Sequence, residues 1–301
     1  MRGERELNRA SWRRVVRLIG LVIIVVIAAM LIPAASAPRT SEHYVALGDS
    51  RAAGPSTLRF LNDSCGRTAA SYPRLISEWL QPEFFLFAAC SGAKVENIID
   101  TPQETRSGGG RPLQIDSVTS ETTLITISIG GNDVRWYDIA RRCFTREEGD
   151  DRECRNDPET RLAAMESLRP LRPRLDRLLG ELRARAPQAL IFLASHGGTV
   201  GDGGCWPEVP ASDEDAAFIA QYQDDMNDII RAAARYAGVN YVDLAAHSVG
   251  HDACQPRHRK WYEGNVTTST SLSMHPNNNG NAAFAEIFKE EIKKEFRRRV
   301  R

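Results

Sequence analysis

"YVALGDSRAAG", residues 44–54, decides how the rest of the chain is read. An apolar run stops at Gly48, an acid and a serine follow, and then come small residues. The run is too short for a helix and lacks the alternation of a half-exposed strand. It therefore reads as a strand buried on both faces. Ser50 then stands at a strand-to-helix junction, where two roles fit. It can cap the helix, because its oxygen can accept an orphan backbone N–H, or it can be an exposed nucleophile. A nucleophilic serine needs a base, a group that orients the base, and donors for an oxyanion. Whether such parts stand at other strand ends decides between the two.

The same pattern recurs along the chain. Apolar runs at 43–47, 84–89, 123–129, 189–194 and 240–244 read as buried strands. Helical patterns lie at 69–80, 158–186, 212–237 and 279–298, and "SDEDAA" from Ser212 offers a cap and an acidic first turn. The alternation predicts an α/β fold: a five-stranded parallel sheet between two layers of helices. Ligands of such sheets sit at the carboxyl ends of the strands. Residues 102–117, 135–157, 196–211 and 245–274 show no clear element. All follow predicted strands, so they crowd that end.

The chain has 301 residues, 42% of them hydrophobic, enough for one large core. Its formal net charge is zero but unevenly placed: residues 1–37 carry six arginines against two glutamates, which leaves 38–301 mildly acidic. An acidic body argues against nucleic acid as a partner. The arginines precede an apolar run over 18–32, and "PAASAP" follows. That run fits a signal-peptide core and is short for a membrane span of about 20 residues. Residues 1–37 therefore read as a signal peptide or an N-terminal membrane anchor, since Pro38 is unfavourable after a cut at Ala37. Residues 38–301 read as the folded domain, secreted or held at the outer face of the cytoplasmic membrane. Six cysteines, Cys65, Cys90, Cys143, Cys154, Cys205 and Cys254, suit disulfides in an exported protein, with fifteen full pairings open. No CxxC pair is present, the one HxxxH spacing is His247 with His251, and no metal is expected.

The other strand ends offer candidate parts. Gly92 in "ACSGA" follows the second strand, and a glycine lets its N–H approach a substrate oxygen. Asn132 in "IGGNDV" follows the third strand and carries a donor NH₂. Six histidines are candidate bases: His43, His196, His247, His251, His258 and His275. His43 opens a strand, His196 follows the fourth, and His247 and His251 follow the fifth. His275 stands in "SMHPNNNGNAAFAEIF", before the last helix. Spacing alone does not choose between His275 and His251.

Together "GDS", "CSGA", "GGND" and "HPN", in this order over about 43–298, resemble the four blocks of the SGNH, or GDSL-type, esterase and lipase family. "CGR…YP" and "GHDAC" further resemble its secreted actinobacterial lipases. The resemblance implies a flavodoxin-like sheet and disulfides Cys65–Cys90, Cys143–Cys154 and Cys205–Cys254. It implies that Ser50 is the nucleophile and His275 its base. The Ser50 N–H, the Gly92 N–H and the Asn132 side chain would form the oxyanion hole. No cofactor is needed. The implied activity is hydrolysis of small-molecule or lipid esters through an acyl-enzyme; a monomer is the default expectation, which no residue pattern decides. Carbohydrate acetyl-esterase and phospholipase are variants of that chemistry. A reading of another class is an inactive, membrane-tethered binding module on the same fold.

The pattern departs from the family at two places. Many members have an aspartate three residues before the histidine, where this chain has Leu272. A carbonyl within 271–273 is expected to hold the imidazole instead, giving a Ser–His dyad, with Asp252 or Glu263 as lesser possibilities. Arg51 follows the nucleophile where relatives often carry a tyrosine, and "SHGGTVGDGG" replaces a "GYP"-like stretch. Both departures can reshape the pocket. Asp49 and Asp133 read as residues that orient loops.

Overall fold

A computed structural model describes residues 40–56, 64–104 and 110–299. The leader read in residues 1–37 lies outside the described residues. Among them, no helix is long and apolar enough to cross a membrane.

The first strand, β1 (Thr40–Gly48), leads into a single helical turn, α1 (Ser50–Ala53), and then α2 (Tyr72–Leu80). Strand β2 (Pro82–Phe87) and the short helix α3 (Val95–Ile99) follow. A two-residue hairpin, Gln103–Glu104 against Gly110–Arg111, and a 3₁₀ turn, Gln114–Ser117, precede β3 (Leu124–Ser128). Next come α4 (Trp136–Arg142), α5 (Pro158–Leu168), α6 (Leu171–Arg185) and β4 (Leu190–Ala194). The chain closes with α7 (Asp213–Ala237), β5 (Asn240–Val242), α8 (Leu244–His247) and α9 (Asn278–Arg299).

The five strands are all parallel, in the order β2-β1-β3-β4-β5. The chain crosses from β1 to β2 in one direction and from β2 back past β1 to β3 in the other. Right-handed crossovers then put α2 on one face of the sheet and the next helices on the opposite face. The point of reversal lies between β1 and β3, where such sheets hold their ligands. Helix α9 returns to α2, and Tyr72 stacks on Phe288 with centroids 4.7 Å apart. On α6, Leu175, Leu178, Leu179 and Leu182 are buried, as are Ile219, Met226 and Ile230 on α7. Ser212 caps α7 through the Asp215 N–H, as "SDEDAA" led one to expect.

Several expectations need correction. Strand β2 begins two residues earlier than the apolar run suggested and is not buried on both faces. It is a sheet edge, with Phe84 57% exposed. The single helix expected over 158–186 is two, broken at Arg169 and Pro170, because proline has no N–H to continue the ladder. The stretch 135–157 holds α4 and a 3₁₀ turn at Cys154–Asn156, and the hairpin lies in 102–117. The three disulfides pair as the resemblance implied: Cys65–Cys90, Cys143–Cys154 and Cys205–Cys254.

Candidate active site

Gly48 ends β1 in a conformation open to glycine, at φ +133°. A Cβ there would lie 2.3 Å from the Ser128 carbonyl oxygen, so this crossing of β1 and β3 excludes any side chain. Gln114 clasps the same residue: the Gly48 N–H donates to Oε1 at 2.8 Å, and Nε2 donates to the Gly48 carbonyl at 2.9 Å. The next residue takes the capping role that Ser50 could have filled. Asp49 is the N-cap of α1, its Oδ1 accepting from the Arg51 N–H at 2.9 Å. Ser50 is the first helical residue, and its hydroxyl is free for another partner.

That partner is His275. Ser50 Oγ lies 2.7 Å from Nε2 of His275, and Nδ1 lies 2.7 Å from the Ser273 carbonyl oxygen. A carbonyl can only accept, so the imidazole proton resides on Nδ1 and the Nε2 lone pair faces the serine. Burial pushes the His275 pKa down to about 4. The hydrogen bond to Ser273 opposes this shift, and the charge of Arg51 adds to it.

The segment that carries His275 is tightly held. Met274 is in the left-handed region, at φ +59°, which a non-glycine residue adopts only when its surroundings impose it. Its N–H donates to the Gly264 carbonyl at 3.1 Å, and the Glu263 N–H donates to the His275 carbonyl at 2.9 Å. Beneath them Glu263 and Lys260 form a fully buried pair, 3.4 Å apart. The Thr268 N–H donates to the Glu263 carboxylate at 2.7 Å and Asn277 Nδ2 at 3.3 Å. Asp252 serves its own loop, accepting from the Cys254 N–H and from Gln255. Neither acid is bonded to His275.

The turns after β2 and β3 meet here too. Cys90 N–H donates to the Gly48 carbonyl at 3.0 Å, which seats the β2 turn beside Ser50. Gly92 is exposed, at φ +85°, and its N–H has no acceptor among the described residues. Asn132 Nδ2 donates to the Ala93 carbonyl at 2.9 Å, so its amide spans the two turns. Asp133 accepts from the Val95 N–H at 3.1 Å and from Arg174 at 3.3 Å. Burial raises its pKa to about 6 against those partners.

The remaining histidines are elsewhere or otherwise engaged. His43 lies at the start of β1 among exposed acids. His247 and His251 each place Nδ1 against a main-chain carbonyl, and His251 stacks on Trp261. His196 is buried and accepts from Arg51 Nε at 2.7 Å. Sequence reasoning missed Gln114, whose partner lies 66 residues earlier. It also left the partner of Arg51 unread.

A family model described as "GDSL-like Lipase/Acylhydrolase family" matches residues 46–283. The chain is 29% identical over 263 residues to Lipase 2 of Streptomyces coelicolor, covering 81% of this chain and 83% of that one. It is 29% identical over 250 residues to a lipase of Streptomyces rimosus, covering 82% and 85%. Among solved structures it is similar to a phospholipase A1 of Streptomyces albidoflavus, with TM-score 0.69 and 25% identity over 83% of this chain and 99% of that one. It is also similar to an extracellular lipase of Streptomyces rimosus, with TM-score 0.66 and 26% identity over 83% and 99%. The chain thus belongs to the GDSL-like lipase and acylhydrolase family of ester hydrolases.

Proposed function

We propose that the protein is an exported serine esterase or lipase that hydrolyses carboxylic esters through an acyl-enzyme on Ser50, with a Ser–His dyad. The observation that carries this reading is the 2.7 Å approach of Ser50 Oγ to His275 Nε2, with Nδ1 fixed by a main-chain acceptor. Nε2 takes the Ser50 proton as Oγ attacks the ester carbonyl carbon. The carbonyl oxygen becomes an oxyanion between the Ser50 and Gly92 N–H groups and the Asn132 amide. The intermediate collapses, and the imidazolium returns the proton to the leaving alcohol. Water, deprotonated by the same histidine, then releases the acid and restores Ser50. Relatives named as lipases and a phospholipase A1 support lipid esters as substrates. The arginine-flanked apolar run at 18–32 and the three disulfides support export, as does the likeness to a lipase described as extracellular.

The test is labelling of the oxidised protein with a fluorophosphonate probe, beside Ser50→Ala and His275→Ala. Stoichiometric labelling that both variants lose is the expected result. No labelling of the folded wild type would sink the reading and leave an inactive binding module.

A further inference from the structure

Arg51, one residue past Ser50, is 5% exposed. Its Nε–H donates to His196 Nε2 and its Nη2 to Thr199 Oγ1, each at 2.7 Å. The guanidinium lies 6.0 Å from the Trp136 ring centroid and 5.5 Å from that of Tyr262. The neighbouring acid, Asp49, accepts from the Arg51 main chain and not from its guanidinium. No ion pair answers this buried cation among the described residues, and Nη1 has no acceptor at all.

Two further donors in contact with it are also unanswered. Because His196 Nε2 accepts from Arg51, its proton is on Nδ1, and that buried atom has no partner. The Trp136 ring lies 5.5 Å from the His196 ring, and its buried Nε1–H has no partner either. Buried polar groups are nearly always hydrogen-bonded, and unanswered ones are costly. Three orphan donors in one cluster, one of them a cation, call for an acceptor that carries negative charge. The cluster adjoins the reacting groups. Arg51 follows Ser50, Trp136 opens α4 after the Asn132 turn, and His196 follows β4. A Cβ on Gly131, the residue before Asn132, would lie 2.5 Å from His196 Nε2, so this ring backs that turn directly.

We propose that Arg51, His196 and Trp136 form a subsite for an oxyanion group on the substrate, a carboxylate or a phosphate, so that acidic esters are hydrolysed in preference to neutral ones. The inference rests on Ser50 being the nucleophile. The three donors are covered by protein, so binding requires the Arg51 side chain to turn from His196 and Thr199 toward the incoming group. An acceptor for Nη1 drives that shift.

The test compares kcat/KM of the full chain on two matched pairs. 4-Nitrophenyl hemiglutarate against 4-nitrophenyl butyrate places a carboxylate on the acyl side. A 1-acylglycerol-3-phosphate against the 1-acylglycerol of the same chain places a phosphate on the alcohol side. The expected result is a preference of about tenfold or more for the acidic member of one pair, as a charge-assisted hydrogen bond provides. The pair that shows it tells carboxylate from phosphate. The preference should fall toward parity in Arg51→Gln and in Trp136→Phe, which keeps an aromatic ring but removes the N–H together with the pyrrole half of the indole, while Arg51→Lys keeps part of it. Parity in both wild-type pairs, or a preference untouched by Arg51→Gln and Trp136→Phe, overturns the proposal. Hydrolysis of the neutral esters that Ser50→Ala abolishes tests the nucleophile separately, so the two readings fail independently.

Discussion

Gln114 holds both main-chain polar groups of Gly48, accepting from its N–H at 2.8 Å and donating to its carbonyl at 2.9 Å. This clasp fixes the last residue of β1, two residues before Ser50, from outside the strand. Gln114→Ala leaves the buried Gly48 N–H without its acceptor, while the Gly48 carbonyl keeps the Cys90 N–H, a loss of about 1–3 kcal/mol. Chemical denaturation should show the lower midpoint, and kcat should fall more than KM rises, because the serine is displaced while the pocket remains. An unchanged midpoint would show that the clasp is dispensable.

Asn132 already spends one N–H on the Ala93 carbonyl, so its other N–H is the one available to an oxyanion. Asn132→Ala should lower kcat by about 10²–10³. Asn132→Asp, which keeps the shape and removes the donors, should lower it comparably. Steady-state kinetics on a short-chain nitrophenyl ester would decide. A loss confined to KM would assign Asn132 to binding instead.

The His275 pKa of about 4 sets the acid limb of the pH profile. Protonated at Nε2, the ring cannot take the serine proton. Activity is therefore full above this pKa and lost as the pH falls through it. The kcat/KM profile should stay flat well below the ordinary imidazole value of about 6.5. Arg51 contributes to the depression, so Arg51→Gln should move the limb to higher pH. A wild-type limb near 6.5 would contradict the desolvated environment described for the ring.

Cys205–Cys254 ties the loop after β4 to the loop after β5, across a sequence separation of 49. Cross-linking a loop of that length is worth about 4 kcal/mol on the chain-entropy account. The double variant Cys205→Ala with Cys254→Ala should melt several degrees lower, read by calorimetry without reductant. An equal melting temperature would mean that packing alone holds the two loops.

The Ser273 hydroxyl is buried without a partner, while its carbonyl holds His275. Ser273→Ala removes an unanswered polar group and keeps the acceptor. It should leave the protein as stable or more stable, and kcat should change by less than about threefold. A collapse of kcat in a normally folded variant would show that the side chain, not the main chain, matters.

The parts of this molecule written in local pattern were readable in advance. β1, β3 and β4 lie at the sheet centre, and burial on both faces leaves apolar runs that need no alternation. The edge strand β2 misled because its phenylalanines look like core while Phe84 faces solvent. Asp49 and Ser50 are both good caps one residue apart, so no sequence rule says which will cap. Pairings across long separations were unreadable for a different reason. Arg51 meets His196 over 145 residues, and nothing in either neighbourhood announces the other. The Ser273 carbonyl is the extreme case, because a main-chain acceptor has no residue type to search for.

That last feature alters what inheritance can do to the site. One base change can erase an orienting aspartate, but no codon specifies a carbonyl oxygen, so no substitution at residue 273 deletes this one. The exposure to mutation moves from chemical identity to chain path. Drift in side chain at Leu272 or Ser273 is tolerated as long as the turn survives. A one-residue deletion between Leu272 and His275, or a β-branched residue forced into the left-handed position of Met274, would break the pairing with Ser50 and the histidine both still present.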